Sequence, residues 1–125
     1  MRYNWDLIER LLLEVQDSSG KNFAPRVYAE ELAGEKANQG EAVGNVDSLK
    51  KEAGDLEGVL LKGGFIEPRP EEAGGNGVNF ILTERGMRLL DLLDSDGPDP
   101  QGARNQLDAK GEAALVPEVF DSLAA

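Results

Sequence analysis

Apolar residues recur at helical spacing in the first part of the chain. Counted from Trp5, they fall at steps of three, four and three residues, which lines them up on one face of a helix. Asn4 precedes them and is a typical N-cap residue. The pattern predicts a first helix that ends before Gly20. Its apolar positions are Trp5, Ile8, Leu12 and Val15.

A second helix and a loop are predicted between residues 25 and 46. Pro25 suits the first turn of a helix, Tyr28 and Leu32 lie one turn apart, and Gly34 is a typical helix end. Residues 35–46 are small and polar, and the glycines among them favour a mobile loop. The second helix is therefore expected to be short.

The third helix has the most regular apolar pattern in the chain. Asp47 or Ser48 is expected to cap its N-terminus. Gly54 and Gly58 lie away from its apolar stripe, and each destabilises a helix interior by roughly 0.5 to 1 kcal/mol relative to alanine. The two glycines either let another backbone approach closely or mark a weak point in the helix. The apolar stripe consists of Leu49, Ala53, Leu56 and Leu60.

A β-hairpin is predicted to follow the third helix. Gly63 and Gly64 are typical residues to end that helix, and residues 65–67 are expected to pair with residues 78–82, where apolar and polar residues alternate. Thr83 suits the N-cap of a fourth helix. The order helix, strand, turn, strand, helix predicts the wing of a winged helix-turn-helix domain.

The chain is expected to be mainly α with a small β-hairpin, an α+β winged helix-turn-helix followed by a flexible acidic tail. The domain is assigned to residues 1–94. Residues 95–111 contain almost no large apolar residue and are expected to form a flexible linker. Residues 112–125 are expected to form a short amphipathic segment, with Pro117 starting its helix.

The composition favours a protein partner. The chain carries 24 acidic and 13 basic residues, a net charge of -11. This charge opposes casual contact with phosphate backbones or anionic lipid and favours basic protein surfaces. Because the sequence has neither a long apolar run nor the pattern of a secretory signal, a cytoplasmic location without membrane contact is expected.

The residue types needed for common catalytic sites are missing. The sequence contains no cysteine and no histidine, which removes thiolate nucleophiles, the commonest general base and the usual zinc ligands. The glycine-rich stretch at residues 74–77 lies between two strands and not before a helix, so it does not suit a phosphate-binding loop. We expect no enzymatic activity, no cofactor and no metal.

Several short motifs resemble an uncharacterised family of small phage and prophage proteins with an expected winged-helix fold. More loosely, residues 64–93 resemble the second half of bacterial repressors of the multiple-antibiotic-resistance and phenolic-acid-decarboxylase types. These resemblances imply a phage-like origin and a third helix that enters the major groove, with basic wing residues on the DNA. The motifs are Trp5-Asp6-Leu7-Ile8 with Leu11 and Leu12, Gly64-Phe65-Ile66, and Leu82-Thr83 followed by Gly86.

The charges of the expected wing and third helix depart from that pattern because they are mostly acidic. We predict that their carboxylates bind a basic protein surface. A suitable target is the nucleic-acid channel of a host defence or gene-expression complex, where carboxylates take the place of phosphates. This makes the protein an inhibitor of the anti-CRISPR or anti-restriction kind. The predicted partner-binding residues are Glu67, Glu71, Glu72, Asp47, Glu52 and Asp55.

A dimeric DNA-binding transcriptional regulator is the alternative. Its few bases would form a weak strip on the third helix and wing. A homodimer through the first helix or residues 116–123 would double these contacts. The predicted DNA-binding residues of this alternative are Lys50, Lys51, Lys62 and Arg69.

Overall fold

A computed structural model describes residues 3–17, 22–41, 44–94 and 100–124 of the chain. The described part is mainly helical with a small antiparallel sheet, an α+β architecture. Its elements are α1 (Trp5–Asp17), α2 (Pro25–Asn38), α3 (Val46–Lys62), β1 (Ile66–Pro68), the 3₁₀-helix η1 (Glu71–Ala73), β2 (Phe80–Leu82), α4 (Glu84–Leu93), α5 (Pro100–Lys110), the 3₁₀-helix η2 (Gly111–Leu115) and α6 (Pro117–Ala124).

Helix α1 is the centre of the core. The Asn4 side chain accepts a hydrogen bond from the Leu7 amide at 3.1 Å, which confirms Asn4 as the cap expected from the sequence. The apolar face of α1 is fully buried and contacts α2, α3, α4 and β2. Because each of these elements covers a different part of α1, this helix fixes their positions relative to one another.

Helix α2 is longer than expected, because it passes through Gly34 and ends at Asn38. The sequence analysis placed residues 35–38 in a loop. Two ion pairs to α1 hold this last turn: Glu35 pairs with Arg10 at 2.5 Å and Lys36 with Asp6 at 2.6 Å. The helical cost of a glycine, roughly 1 kcal/mol, is too small to end a helix that tertiary contacts support.

Helix α3 begins at Val46, and its cap is Asn45. The Asn45 side chain accepts a hydrogen bond from the Ser48 amide at 3.2 Å, so the expectation of a cap at Asp47 or Ser48 is wrong by two or three residues. The stripe at Ala53, Leu56 and Leu60 is buried as expected. The helix is continuous through its two glycines, which therefore do not break it.

The hairpin pairs Ile66 with Leu82. Strand β1 is shifted by one residue from the expected 65–67, and β2 is two residues shorter than the expected 78–82. Buried Asn79 organises the loop: its side chain donates to the Gly74 carbonyl at 3.1 Å and accepts from the Asn76 amide at 3.0 Å. The main chain of the same residue continues the hairpin, because the Arg69 amide donates to the Asn79 carbonyl at 3.0 Å. These hydrogen bonds therefore hold the loop, which includes the turn η1, in one conformation.

Between α3 and β1 the chain makes a tight corner at residues 63–65. Gly64 has a φ of +73°, which favours glycine, and Thr83 donates its backbone amide to the Phe65 carbonyl at 3.1 Å. Thr83 also caps α4, as expected, by accepting from the Gly86 amide at 3.1 Å. The start of α4 therefore packs directly on the corner.

The expected flexible linker is a helix over residues 100–110, which corrects the sequence analysis; residues 95–99 lie outside the described part. Leu107 of α5 is buried in the core, and Arg104 bonds to Asp6 at 2.5 Å and to the Leu93 carbonyl at 3.1 Å. Trp5 donates its indole N–H to Asp108 at 2.5 Å. One apolar side chain and a set of charged contacts suffice to order a segment whose composition suggested disorder.

The last described segment also packs on the core. Helix α6 starts at Pro117, as expected, and buries Phe120 completely. Val116 precedes the helix and is 41% exposed, so it lies outside the packed part of this segment. None of the helices in the described ranges is long and apolar enough to cross a membrane.

Replacement of Gly86 with alanine tests the contact between α4 and the corner. A Cβ at Gly86 would lie 2.0 Å from the Phe65 carbonyl oxygen, whereas a Cβ at Gly58 would meet nothing within 4 Å. We expect Gly86→Ala to lower the free energy of unfolding by about 2 to 3 kcal/mol. We expect Gly58→Ala, the matched control in an open helix position, to raise it by about 0.5 to 1 kcal/mol. Urea denaturation followed by circular dichroism measures both, and equal effects would contradict the assigned packing.

Candidate functional site

The six carboxylates expected to bind a partner lie on two neighbouring elements in the chain, α3 and the hairpin. Five are exposed, and Glu52 is partly buried. Within the described part of the chain, none of their carboxylates takes part in an ion pair or a side-chain hydrogen bond. Asp47, Glu52 and Asp55 belong to α3, Glu67 to β1, and Glu71 and Glu72 to η1.

The turn η1 gives Glu71 and Glu72 a defined position. The Gly75 amide donates to the Pro70 carbonyl at 2.8 Å and closes the turn. A Cβ at Gly75 would lie 1.9 Å from the Arg69 carbonyl oxygen, so this closure requires glycine. The hydrogen bonds of Asn79 support this turn, which holds the adjacent exposed carboxylates of Glu71 and Glu72 within the hairpin loop.

The four bases expected for DNA contact do not form a continuous free strip. Lys50 pairs with Glu30 at 3.5 Å. Arg69 is partly buried, and its Nε is buried without a hydrogen-bond partner. Lys51 and Lys62 are exposed and unpaired within the described residues, but their separation of eleven positions places them roughly 16 Å apart along α3.

Arg26 is a base near α3 that the sequence analysis missed. Its guanidinium lies 3.8 Å from the position that a Cβ at Gly54 would take. A side chain of the same molecule, and not another backbone, therefore approaches α3 at this glycine. In the sequence, only the glycine at position 54 indicates room for this side chain, and no residue near Arg26 predicts the contact.

Most paired bases in the described residues serve to join helices. Arg104 bonds to Asp6 at 2.5 Å and to Glu9 at 3.1 Å, which ties α5 to α1. Arg10 pairs with Glu14 at 3.1 Å and with Glu35 at 2.5 Å, which ties α1 to α2. These contacts neutralise carboxylates at the α1–α2–α5 side of the molecule and leave those of α3 and the hairpin unpaired.

Two acidic side chains have pKa values shifted in opposite directions. Burial acts to raise the pKa of Asp6, but hydrogen bonds from Lys36 and Arg104, with the charges of both bases, outweigh burial and lower it. Burial raises the pKa of Glu57 on α3. Asp6 is therefore held as an anion by its partners, whereas Glu57 is a weaker candidate for an ionic contact than its exposed neighbours.

A groove of about 510 Å³ at the end of α3 is lined by Tyr3, Val59, Lys62, Glu112 and Val116, among others. No group of three or more acidic side chains in the described ranges is placed to hold a metal ion. No protein-family model, curated protein or solved structure matches the chain.

Substitution of Asp6 with asparagine tests the ion pairs that join α1, α2 and α5. Because the folded pKa of Asp6 lies below its ordinary value, its contribution is present above about pH 4 and is lost as the pH falls through the folded pKa. The Asp6 side chain is 43% exposed, so solvent screening keeps the expected loss at neutral pH to about 1 kcal/mol.

Urea denaturation from pH 7 to pH 3 measures this difference in stability between the wild type and Asp6→Asn. Asp91→Asn is the control, since Asp91 is exposed on α4 and unpaired within the described part of the chain. The difference should close at the acidic end for Asp6→Asn and stay near zero for the control. A difference that is independent of pH would show that Asp6 contributes through shape and not through charge.

Proposed function

We propose that this protein is a non-enzymatic acidic winged-helix protein of phage origin. It binds a basic surface on a protein partner with the carboxylates of α3 and the hairpin. The observation that carries the proposal is that all six carboxylates lack a partner within the described part of the molecule, whereas bases elsewhere are engaged in ion pairs.

The order of elements supports the winged-helix part of the proposal. Helices α1, α2 and α3 precede the antiparallel hairpin, and α4 follows it directly. In a winged helix-turn-helix, the helix before the hairpin and the hairpin itself face the ligand. Here these two elements carry the unpaired carboxylates, and the surface they form therefore suits a cationic ligand better than a phosphate backbone.

The expected energetics favour a protein ligand of complementary charge. An exposed ion pair contributes only about 0 to 1 kcal/mol, so six carboxylates mainly accelerate association and select the partner. Affinity also needs desolvated anchor residues. Exposed Val78 follows the hairpin turn and supplies one apolar side chain next to the charges.

A nucleic-acid channel is the class of surface we propose as the target. Such channels carry arginine and lysine arranged to neutralise successive phosphates. Glu52 and Asp55 lie three residues apart on α3 and Glu71 and Glu72 are adjacent in η1, which gives two pairs of neighbouring negative charges. Occupation of the channel would exclude the nucleic acid and inhibit the complex.

A DNA-binding regulator is the second candidate, and the free, exposed Lys51 and Lys62 on α3 are the observation in its favour. Two lysines neutralise too few phosphates for tight binding at physiological salt. The proposed dimer contact at residues 116–123 is also compromised, because Phe120 of this segment is buried against its own chain. A dimer through this segment would require it to detach from the core of its own chain.

Charge reversal of the hairpin tests the leading proposal. We expect Glu71→Lys/Glu72→Lys to abolish capture of the partner from a lysate of the source cells, with the largest loss at low salt. Asp17→Lys/Asp91→Lys raises the net charge by the same amount at exposed, unpaired positions on α1 and α4. This control should retain the partner, which quantitative mass spectrometry identifies.

Equal capture by both double variants at every salt concentration would contradict the proposal. A gel shift with the purified wild type and duplex DNA from upstream of its own gene separates the second candidate. Site-selective retardation at about 150 mM salt, abolished by Lys51→Gln/Lys62→Gln, would establish the regulator instead. We expect no retardation under these conditions.

A further inference from the structure

The C-terminal segment, residues 111–124, packs against the corner between α3 and β1. The ring of Phe120 meets Phe65 edge-on with centroids 5.0 Å apart. The Leu115 carbonyl oxygen lies 3.0 Å from the position of a Cβ at Gly63. The segment thus covers the residue that ends α3 and the residue that leads into β1.

Arg85 of α4 links the C-terminal segment to the same corner. Its Nε and Nη2 donate to the two carboxylate oxygens of Asp121 at 2.9 and 2.8 Å, and its Nη1 donates to the Gly63 carbonyl at 2.9 Å. A Cβ at Gly64 would lie 2.7 Å from Nη1. One guanidinium therefore bridges α6 and the end of α3, in space that a side chain at residue 64 would need.

The corner is one of two places that position the hairpin relative to the helices; the other is its far end, where the Phe23 amide donates to the Val78 carbonyl at 2.9 Å. The Phe65 amide donates to the Leu60 carbonyl of α3 at 2.9 Å, and the Phe65 carbonyl accepts from the Thr83 amide at 3.1 Å. The Thr83 hydroxyl donates to the Gly64 carbonyl. Hence α3 and both ends of the hairpin are fixed at the three residues on which the C-terminal segment rests.

We propose that the C-terminal segment is a latch on the corner, and that its release loosens the connection between α3, β1 and α4 and so weakens the presentation of the carboxylates carried by α3 and the hairpin. With the latch closed, α3 and the hairpin are joined at a corner that is packed on its outer side. With it open, the Phe65 site loses Phe120 and the Gly63 carbonyl loses the positioned guanidinium. The consequence for partner binding rests on the function proposed above.

The latch combines a partly exposed ion pair with a short helix. The side chains of Arg85 and Asp121 are 29% and 43% exposed, so salt screens their attraction. Helix α6 spans only residues 117–124, a length that is not stable without tertiary contacts. The buried ring of Phe120 and the ion pair beside it therefore decide together whether α6 stays in place.

Asp121→Asn in the full-length chain tests the latch through amide hydrogen exchange measured by NMR. We expect exchange at the amides of Phe120, Phe65 and Thr83 to accelerate together, by about threefold to fivefold, the range that the loss of a surface ion pair produces. Salt at about 1 M should produce the same change in the wild type and add little in the variant. The amides of α1 should keep their rates, and Asp91→Asn, on the same helix as Arg85, should change none of them.

Accelerated exchange at Phe120 alone would overturn the proposal, because the segment would then open without affecting the corner. Unchanged exchange at all three amides would overturn it as well. Coupled acceleration with a severalfold weaker partner affinity in Asp121→Asn supports the regulatory role, and coupled acceleration with unchanged affinity would overturn that role. The exchange measurement needs no partner, so a failure of the hairpin charge reversal to affect capture removes the proposed function without deciding the latch.

Discussion

The close approach of α4 to the Phe65 carbonyl is the constraint on which the rest of the structure depends. Gly86 permits this approach because a Cβ there would lie 2.0 Å from the carbonyl oxygen, and the Thr83 amide then bonds that oxygen at 3.1 Å. This contact joins the start of α4 to the corner that follows α3, so the segment from α3 through the hairpin to α4 folds back around buried Phe65. Because Phe120 packs on the same ring, the fold of the last helix depends on the corner too.

The distribution of charge follows from how the helices are joined. Asp6 is shared by Lys36 and Arg104, and Arg10 by Glu14 and Glu35, so the α1–α2–α5 side uses its bases to hold helices together. The carboxylates of α3 and the hairpin are left unpaired within the described residues. The net charge of -11 thus includes six unpaired carboxylates on α3 and the hairpin, which are available to a cationic partner.

The sequence predicted several helix ends that are determined by hydrogen bonds between neighbouring residues. The caps at Asn4 and Thr83 and the glycines that end α3 are satisfied within a few residues of themselves, and each was predicted. The cap of α3 is an exception, because Asn45 and not Asp47 or Ser48 makes this local bond. Contacts between distant residues decided the other differences. Helix α5 is held by Arg104, which bonds to Asp6 98 residues away, and no composition argument over residues 95–111 includes that contact. For the same reason, the pairing of Lys50 with Glu30 on the neighbouring helix was not predicted.

The proposed binding surface and the proposed latch both depend on the corner, because charge alone does not bind a partner tightly. Exposed ion pairs contribute little affinity each, so the binding surface gains mainly from holding its carboxylates in one fixed arrangement, which lowers the ordering cost of association. The elements that carry them, α3 and the hairpin, are joined at residues 63–65 and supported there by Arg85 and Phe120. A surface whose charges are spread over two elements depends on whatever holds those elements together. In this protein part of that support comes from Phe120 and Asp121 of the C-terminal segment, and we therefore propose that the position of the C-terminal helix affects how strongly the acidic surface binds.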